Sequence, residues 1–191
     1  MSVDERLDRR QDRTRQAIRQ AFIALIFERD YPAVTVAAVA ARANVGRSTL
    51  YEHFRVKDDL LRDSLTEPMS ALASVIGSRD LPAHLGWWLQ HFKARQALGR
   101  VLFYLPARDV MLGVLADLIE ARLVRLAQAK GPARVPLNLV AAQIAAAQLA
   151  VLVPWVLGQI AVSQSVVAET LHLTSNGLVQ SVFPNLHAAH P

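Results

Sequence analysis

Residues 35–54 read Thr-Val-Ala-Ala-Val-Ala-Ala-Arg-Ala-Asn-Val-Gly-Arg-Ser-Thr-Leu-Tyr-Glu-His-Phe. Thr35 makes a good N-cap ahead of the apolar-periodic run from Val36 to Ala40. The spacing predicts two short helices separated by a turn at Asn44-Val45-Gly46. A helix-turn-helix needs small residues where its helices cross, and Ala40 and Ala43 supply them. It needs apolar anchors beneath, and Val36, Val39, Val45, Leu50 and Phe54 supply those. The first helix must end on a residue that tolerates left-handed backbone; Asn44 is second only to glycine there. Gly46 can cap the second helix. That helix, Arg47 to about His53, has an outer face of Arg47, Ser48, Thr49, Tyr51 and His53. None is needed for a core, and all can donate hydrogen bonds to phosphate or base edges, as a major-groove helix requires. The same pattern also fits a tight αα-corner with a solvated polar face.

The surrounding chain narrows the choice. Its 191 residues suit one ordinary domain, or a small module fused to a larger one. Cysteine is absent, which excludes disulfide scaffolds, thiolate zinc sites and cysteine nucleophiles and is compatible with a reducing cytoplasm. The net charge of +5 is mild for a chain that is 52% hydrophobic and 19% charged, unlike a disordered polycation. Charge is also segregated. Residues 1–65 hold 12 Lys/Arg and 10 Asp/Glu, while the other 126 positions hold only 9 and 6. These are read as two domains, 1–65 and 66–191.

Nearly every periodic stretch reads as helix, and none alternates as a strand would. Ile18, Ala21, Phe22 and Leu25 mark one face of a helix ending near Asp30-Tyr31-Pro32. Further helices are expected over Asp58–Val75, Pro82–His91, Arg95–Leu105, Asp109–Lys130, Leu137–Val162 and Ser165–Val182, about nine in all. The fold class is all-α.

From about Arg13 to Leu61 the chain resembles the DNA-binding domain of the TetR family of transcriptional regulators. The resemblance rests on Thr35-Val36, Val39-Ala40, Ala43-Asn44-Val45-Gly46, Thr49-Leu50-Tyr51, His53-Phe54, Lys57-Asp58 and Leu60, with Ile18, Ala21, Phe22 and Tyr31 ahead of them. It implies DNA contacts from Thr35, Arg47, Ser48, Thr49, Tyr51, His53 and Lys57. It departs from the family at three positions. Asn44 replaces a turn glycine, Gly46 a capping serine, and Val56 a residue that is often serine, which leaves Asp58 and Asp59 to answer the dipole of the next helix. Lys57 opposes that dipole, so it should have another partner; DNA phosphate is one candidate and a nearby carboxylate the other.

By the same resemblance, residues 66–191 form a helical effector-binding and dimerisation domain. The uncharged, alanine-rich run Leu137–Val162 is apolar on nearly all faces and calls for burial on nearly all of them. A homodimer through about 137–182 provides that burial and matches a palindromic operator in double-stranded DNA. Length alone would let the run cross a bilayer, but Asn138, Gln143, Gln148, Pro154, Gln159 and its many alanines argue against a membrane span. The charged N-terminus shows no signal peptide, so a cytoplasmic location is expected.

Trp87, Trp88, His91, Phe92, Phe103 and Tyr104, with Gln143 and Gln148, are candidates to line a site for an unknown, mostly apolar small-molecule effector. Helical Trp and Phe are more often simply core. No histidine pair has metal-ligand spacing, and no phosphate loop or nucleophile motif occurs, so neither metal, cofactor nor enzymatic activity is expected. The leading expectation is a dimeric repressor released by a ligand. The alternative is a helical binding protein or enzyme whose N-terminal module is only structural.

Overall fold

The computed structural model describes residues 3–29, 31–95 and 107–183. Among them are eight α-helices, one 3-10 turn and no strand, which meets the all-α expectation. The helices are α1 (Val3–Glu28), α2 (Val36–Ala43), α3 (Arg47–His53), α4 (Lys57–Ala73), α5 (Ala83–Ala94), α6 (Ala107–Lys130), α7 (Leu137–Val156) and α8 (Gln164–Val182), with the 3-10 turn at Tyr31–Ala33. The chain divides into two compact units, Met1–Ser64 and Leu65–Pro191, so the boundary falls inside α4.

In the first unit, Ile18, Ala21, Phe22, Leu25 and Ile26 form the buried stripe of α1. Below it lie Tyr31, Val34, Val39, Ala40, Leu50, Phe54, Leu60 and Leu61, all buried. Full burial of one such Leu or Phe stabilises by about 1.5–3 kcal/mol. The Phe22 and Tyr31 rings meet edge to face at 6.3 Å. Asp63, nearly buried, ties α1 to α4: it pairs with Arg15 and, at 2.9 Å, with Arg19.

In the second unit α6 packs on α7, and α7 and α5 both pack on α8. Met111, Val114, Leu115, Ile119 and Leu123 give α6 its buried stripe. The alanines of α7 split between faces: Ala141 and Ala145 are buried, whereas Ala142, Ala146, Ala147 and Ala150 are exposed. By length and composition α7 is one helix capable of crossing a membrane, and half of its most apolar window is buried within the unit.

Most helix ends lie within three residues of the sequence expectation, and one differs by more. The helix expected to run to Val162 stops at Val156. Pro154 removes a backbone donor in its last turn, and Gly158 turns the chain away at φ 77°. The next helix is capped by Ser163 rather than starting at Ser165; the Ser163 hydroxyl accepts the Val166 N–H at 3.3 Å. The helix expected over Arg95–Leu105 lies, apart from Arg95, outside the described residues.

Candidate nucleic-acid interface

The turn between α2 and α3 is built from local chemistry. Thr35 Oγ1 accepts the Ala38 N–H at 3.2 Å, capping α2. Asn44 closes that helix in left-handed geometry, φ 53° and ψ 45°, and the Val45 N–H returns to the Ala40 carbonyl at 3.1 Å. Gly46 caps α3 in extended conformation with no side-chain bond, while its carbonyl accepts the Leu50 N–H at 3.0 Å. Leu50 and Phe54 anchor α3 in the core, and Val36 and Val45 are half-buried around them.

With its apolar side fixed, α3 presents the rest outward. Arg47 and Ser48 are exposed, Thr49 and His53 are half-buried, and Tyr51 leaves 53% of its surface to solvent. The His53 ring lies tilted against Phe54 at 6.2 Å. Thr35 is also exposed; its cap uses the oxygen as acceptor, which leaves the O–H free to donate. Glu52, exposed, is the one acid on α3. A helix with donors of several lengths on one side and fixed anchors on the other has the form that reads base edges.

Lys57, which opposes the dipole of α4, has its partners within the chain. Its ammonium donates to the Tyr31 carbonyl at 2.9 Å and the Pro32 carbonyl at 3.3 Å, 4.3 Å from the Tyr31 ring centroid. The cation at the start of α4 is therefore answered by the 3-10 turn. The two acids beside it divide their tasks. Asp58 accepts the Tyr31 hydroxyl; burial and then that hydrogen bond push the Tyr31 pKa up. Asp59 Oδ2 accepts the Arg55 N–H at 2.9 Å and the Val56 N–H at 3.1 Å, the acid's half of a capping box whose serine half Val56 lacks.

The ligand candidates are only partly brought together. On α5, Trp87 stands 57% exposed, stacked on His91 at 5.0 Å and edge-on to Trp88 at 4.7 Å, with Phe92 beyond Trp88 at 5.9 Å. Phe103 and Tyr104 lie outside the described residues. Gln143 and Gln148 sit on different faces of α7. Gln143 is exposed, whereas Gln148 is 2% exposed and donates to Ser175 Oγ at 2.9 Å and to the Leu72 carbonyl at 3.4 Å. The Gln148 Oε1 finds no protein partner. Among the described residues no group of three His, Asp or Glu gathers as metal ligands.

Residues 18–63 match the family model described as bacterial regulatory proteins, tetR family. An uncharacterized HTH-type transcriptional regulator of Bacillus subtilis (strain 168), YxbF, is 35% identical over 60 residues. That stretch covers 31% of this chain but only 16% of the relative's length. Among solved structures, a TetR-family regulator from Streptomyces coelicolor A3 aligns with TM-score 0.64 at 18% identity, over 88% of this chain and 96% of its own. A TetR transcriptional regulator from Streptococcus agalactiae 2603V gives 0.56 at 22% identity, over 91% and 99%. At such identities these structures speak for the fold, which extends across both units.

Proposed function

We infer that this chain, which belongs to the tetR family of bacterial regulatory proteins through residues 18–63, binds duplex DNA as a homodimer and acts as a ligand-released repressor in the cytoplasm. The observation that carries the reading is the outer face of α3. Arg47, Ser48 and Tyr51 are exposed there while Leu50 and Phe54 lock the helix to its base. Those side chains, with Thr35, Thr49 and His53, are the proposed DNA contacts. Lys57 supports them by fastening the 3-10 turn to the start of α4.

A second copy of the chain is the proposed cover for the outer faces of α7 and α8. Leu139 and Leu173 are 63% and 60% exposed there, beside exposed Ala142, Ala146, Ala150 and Gly177. Small residues let helices approach closely, and a two-fold dimer supplies two recognition helices to a palindromic site. An effector bound by residues 66–191 would weaken DNA binding only by preferring the DNA-incompetent state, and DNA would weaken effector binding equally. A mobility shift of the DNA upstream of the chain's own gene tests the reading. Wild-type protein should retard it in competition with excess unrelated duplex, and Arg47→Ala should not.

A further inference from the structure

Away from the helix-turn-helix, the second unit carries an open groove of about 310 Å³ lined by Ile76, Arg122, Arg125 and Leu126. Its apolar wall is preformed. Ile76 sits on the turn after α4, and that turn is latched from α8. The Gly77 N–H donates to Asn176 Oδ1 at 2.9 Å, Asn176 Nδ2 donates to the Val75 carbonyl at 2.9 Å, and His172 Nε2 meets the Ser78 carbonyl at 3.1 Å. Gly77 takes φ +71°, and a Cβ there would lie 3.0 Å from both Leu126 methyl carbons. The turn thus presses on Leu126 more closely than another residue would allow.

The polar wall is two cations, Arg122 and Arg125. Arg122 is half-buried and Arg125 exposed, three residues apart and so on one side of α6. Among the described residues no carboxylate forms an ion pair with either. Helical neighbours offer none: Leu118, Ile119 and Leu126 flank Arg122, and Ala121, Gln128 and Ala129 flank Arg125. Between Glu120 and Glu169 the chain holds Arg122, Arg125, Lys130 and Arg134 and not one Asp or Glu. Lys130 answers the helix dipole, an effect confined to the last turn; Arg122 and Arg125 lie further back. Burial, and then the charge of Arg125, lower the Arg122 pKa. Two guanidinium groups that repel each other beside an apolar wall are complementary to an anion with an apolar body.

We propose that this groove binds a small amphipathic carboxylate, its head between Arg122 and Arg125 and its tail along Leu126 and Ile76. The groove is small and open to solvent, so it suits a ligand with a short tail. That such a carboxylate is the effector rests on the regulator reading above; that it binds here does not.

Calorimetric titration of the full chain tests the site, with octanoate, octan-1-ol and inorganic phosphate as probes. Octanoate should bind saturably, one per chain. Octan-1-ol, with the tail and no charge, and phosphate, with the charge and no tail, should each bind at least roughly tenfold more weakly. Arg122→Gln and Arg125→Gln should each weaken octanoate by roughly tenfold. Arg125 is exposed, so its variant keeps the fold, checked by an unchanged melting midpoint. Equal binding of octanoate by the double variant overturns the proposal, as does the absence of saturable binding. Phosphate binding as tightly as octanoate overturns it too, as the mark of a bare anion site. Duplex binding measured in parallel separates the two readings. In wild-type protein, no octanoate binding with DNA binding intact sinks this site alone, and octanoate binding without DNA binding sinks the regulator reading alone.

Discussion

Lys57 donates its ammonium to the Tyr31 carbonyl at 2.9 Å and covers the ring of the same residue at 4.3 Å. One side chain thereby fastens the 3-10 turn to the first turn of α4, and Asp58 fastens it again through the Tyr31 hydroxyl. The segment behind α3 is thus held by charge-assisted bonds as well as by packing.

Removing that ammonium should cost stability first. Lys57→Ala loses two charge-assisted hydrogen bonds and a cation–π contact in a partly buried setting, about 1–3 kcal/mol together. Urea unfolding reads it as a lower midpoint. The salt dependence of DNA binding separates this role from a phosphate contact. Arg47→Ala should make the slope shallower by about one unit, and Lys57→Ala should leave it nearly unchanged. A full unit lost with Lys57→Ala would assign the lysine to phosphate.

Asn44 is set by its backbone. At φ 53° a glycine is at ease and a β-branched residue is strained. Asn44→Gly should change stability by only a few tenths of a kcal/mol, and Asn44→Val should cost about 1–2 kcal/mol. Thermal unfolding of the two variants checks the order; equal stabilities would contradict it.

His91 gives the fold a pH dependence with a definite sign. Burial, and then repulsion from Arg95, hold its imidazole below the ordinary value of 6.5. As pH falls below that value the unfolded chain binds a proton that the folded chain still refuses. This contribution to stability is therefore complete above pH 6.5 and is lost on acidification through the folded pKa. Between about pH 7.5 and 5.5 the urea midpoint should drop further in wild type than in His91→Gln. Parallel drops would show that His91 does not contribute.

What the sequence made legible was local. Thr35, Asn44 and Gly46 act within four residues of themselves, and Leu50 and Phe54 follow a simple helical period, so the helix-turn-helix is legible in the sequence. Lys57 could not, because its partners stand 26 and 25 residues away. The end of α7 was hidden because the run to Val162 carries no charge, and composition does not show that Gly158 adopts φ 77°. The two glutamines of α7 show what residue type alone leaves out. Five residues apart on a helix, they point about 140° away from each other, so one exposed and one buried was the arrangement to expect. The acid-free stretch between Glu120 and Glu169 shows an excess of cations in the sequence, but not the turn at Ile76 that lines a groove with two of them.

Dimerisation is best tested where the fold itself will not suffer. Ala146 is exposed on α7, so Ala146→Glu adds charge to the outer face without entering the core. Leu149 is buried, and a charge there would unfold the unit rather than part a dimer. Sedimentation should show wild type at twice the chain mass and Ala146→Glu as folded monomer, with DNA binding lost alongside. A folded monomer that kept full DNA affinity would refute the two-fold account.

The most direct measurement is selection of bound sequences from a random duplex pool, followed by the mass of the resulting complex. The account predicts enrichment of a two-fold symmetric site whose half-sites face the same side of the duplex about one turn, 34–36 Å, apart. It predicts two chains per duplex, and no enrichment when Arg47 and Tyr51 are both replaced by alanine. A pool that stays random with wild-type protein, or one equally enriched by the double variant, would contradict the claim that α3 reads DNA.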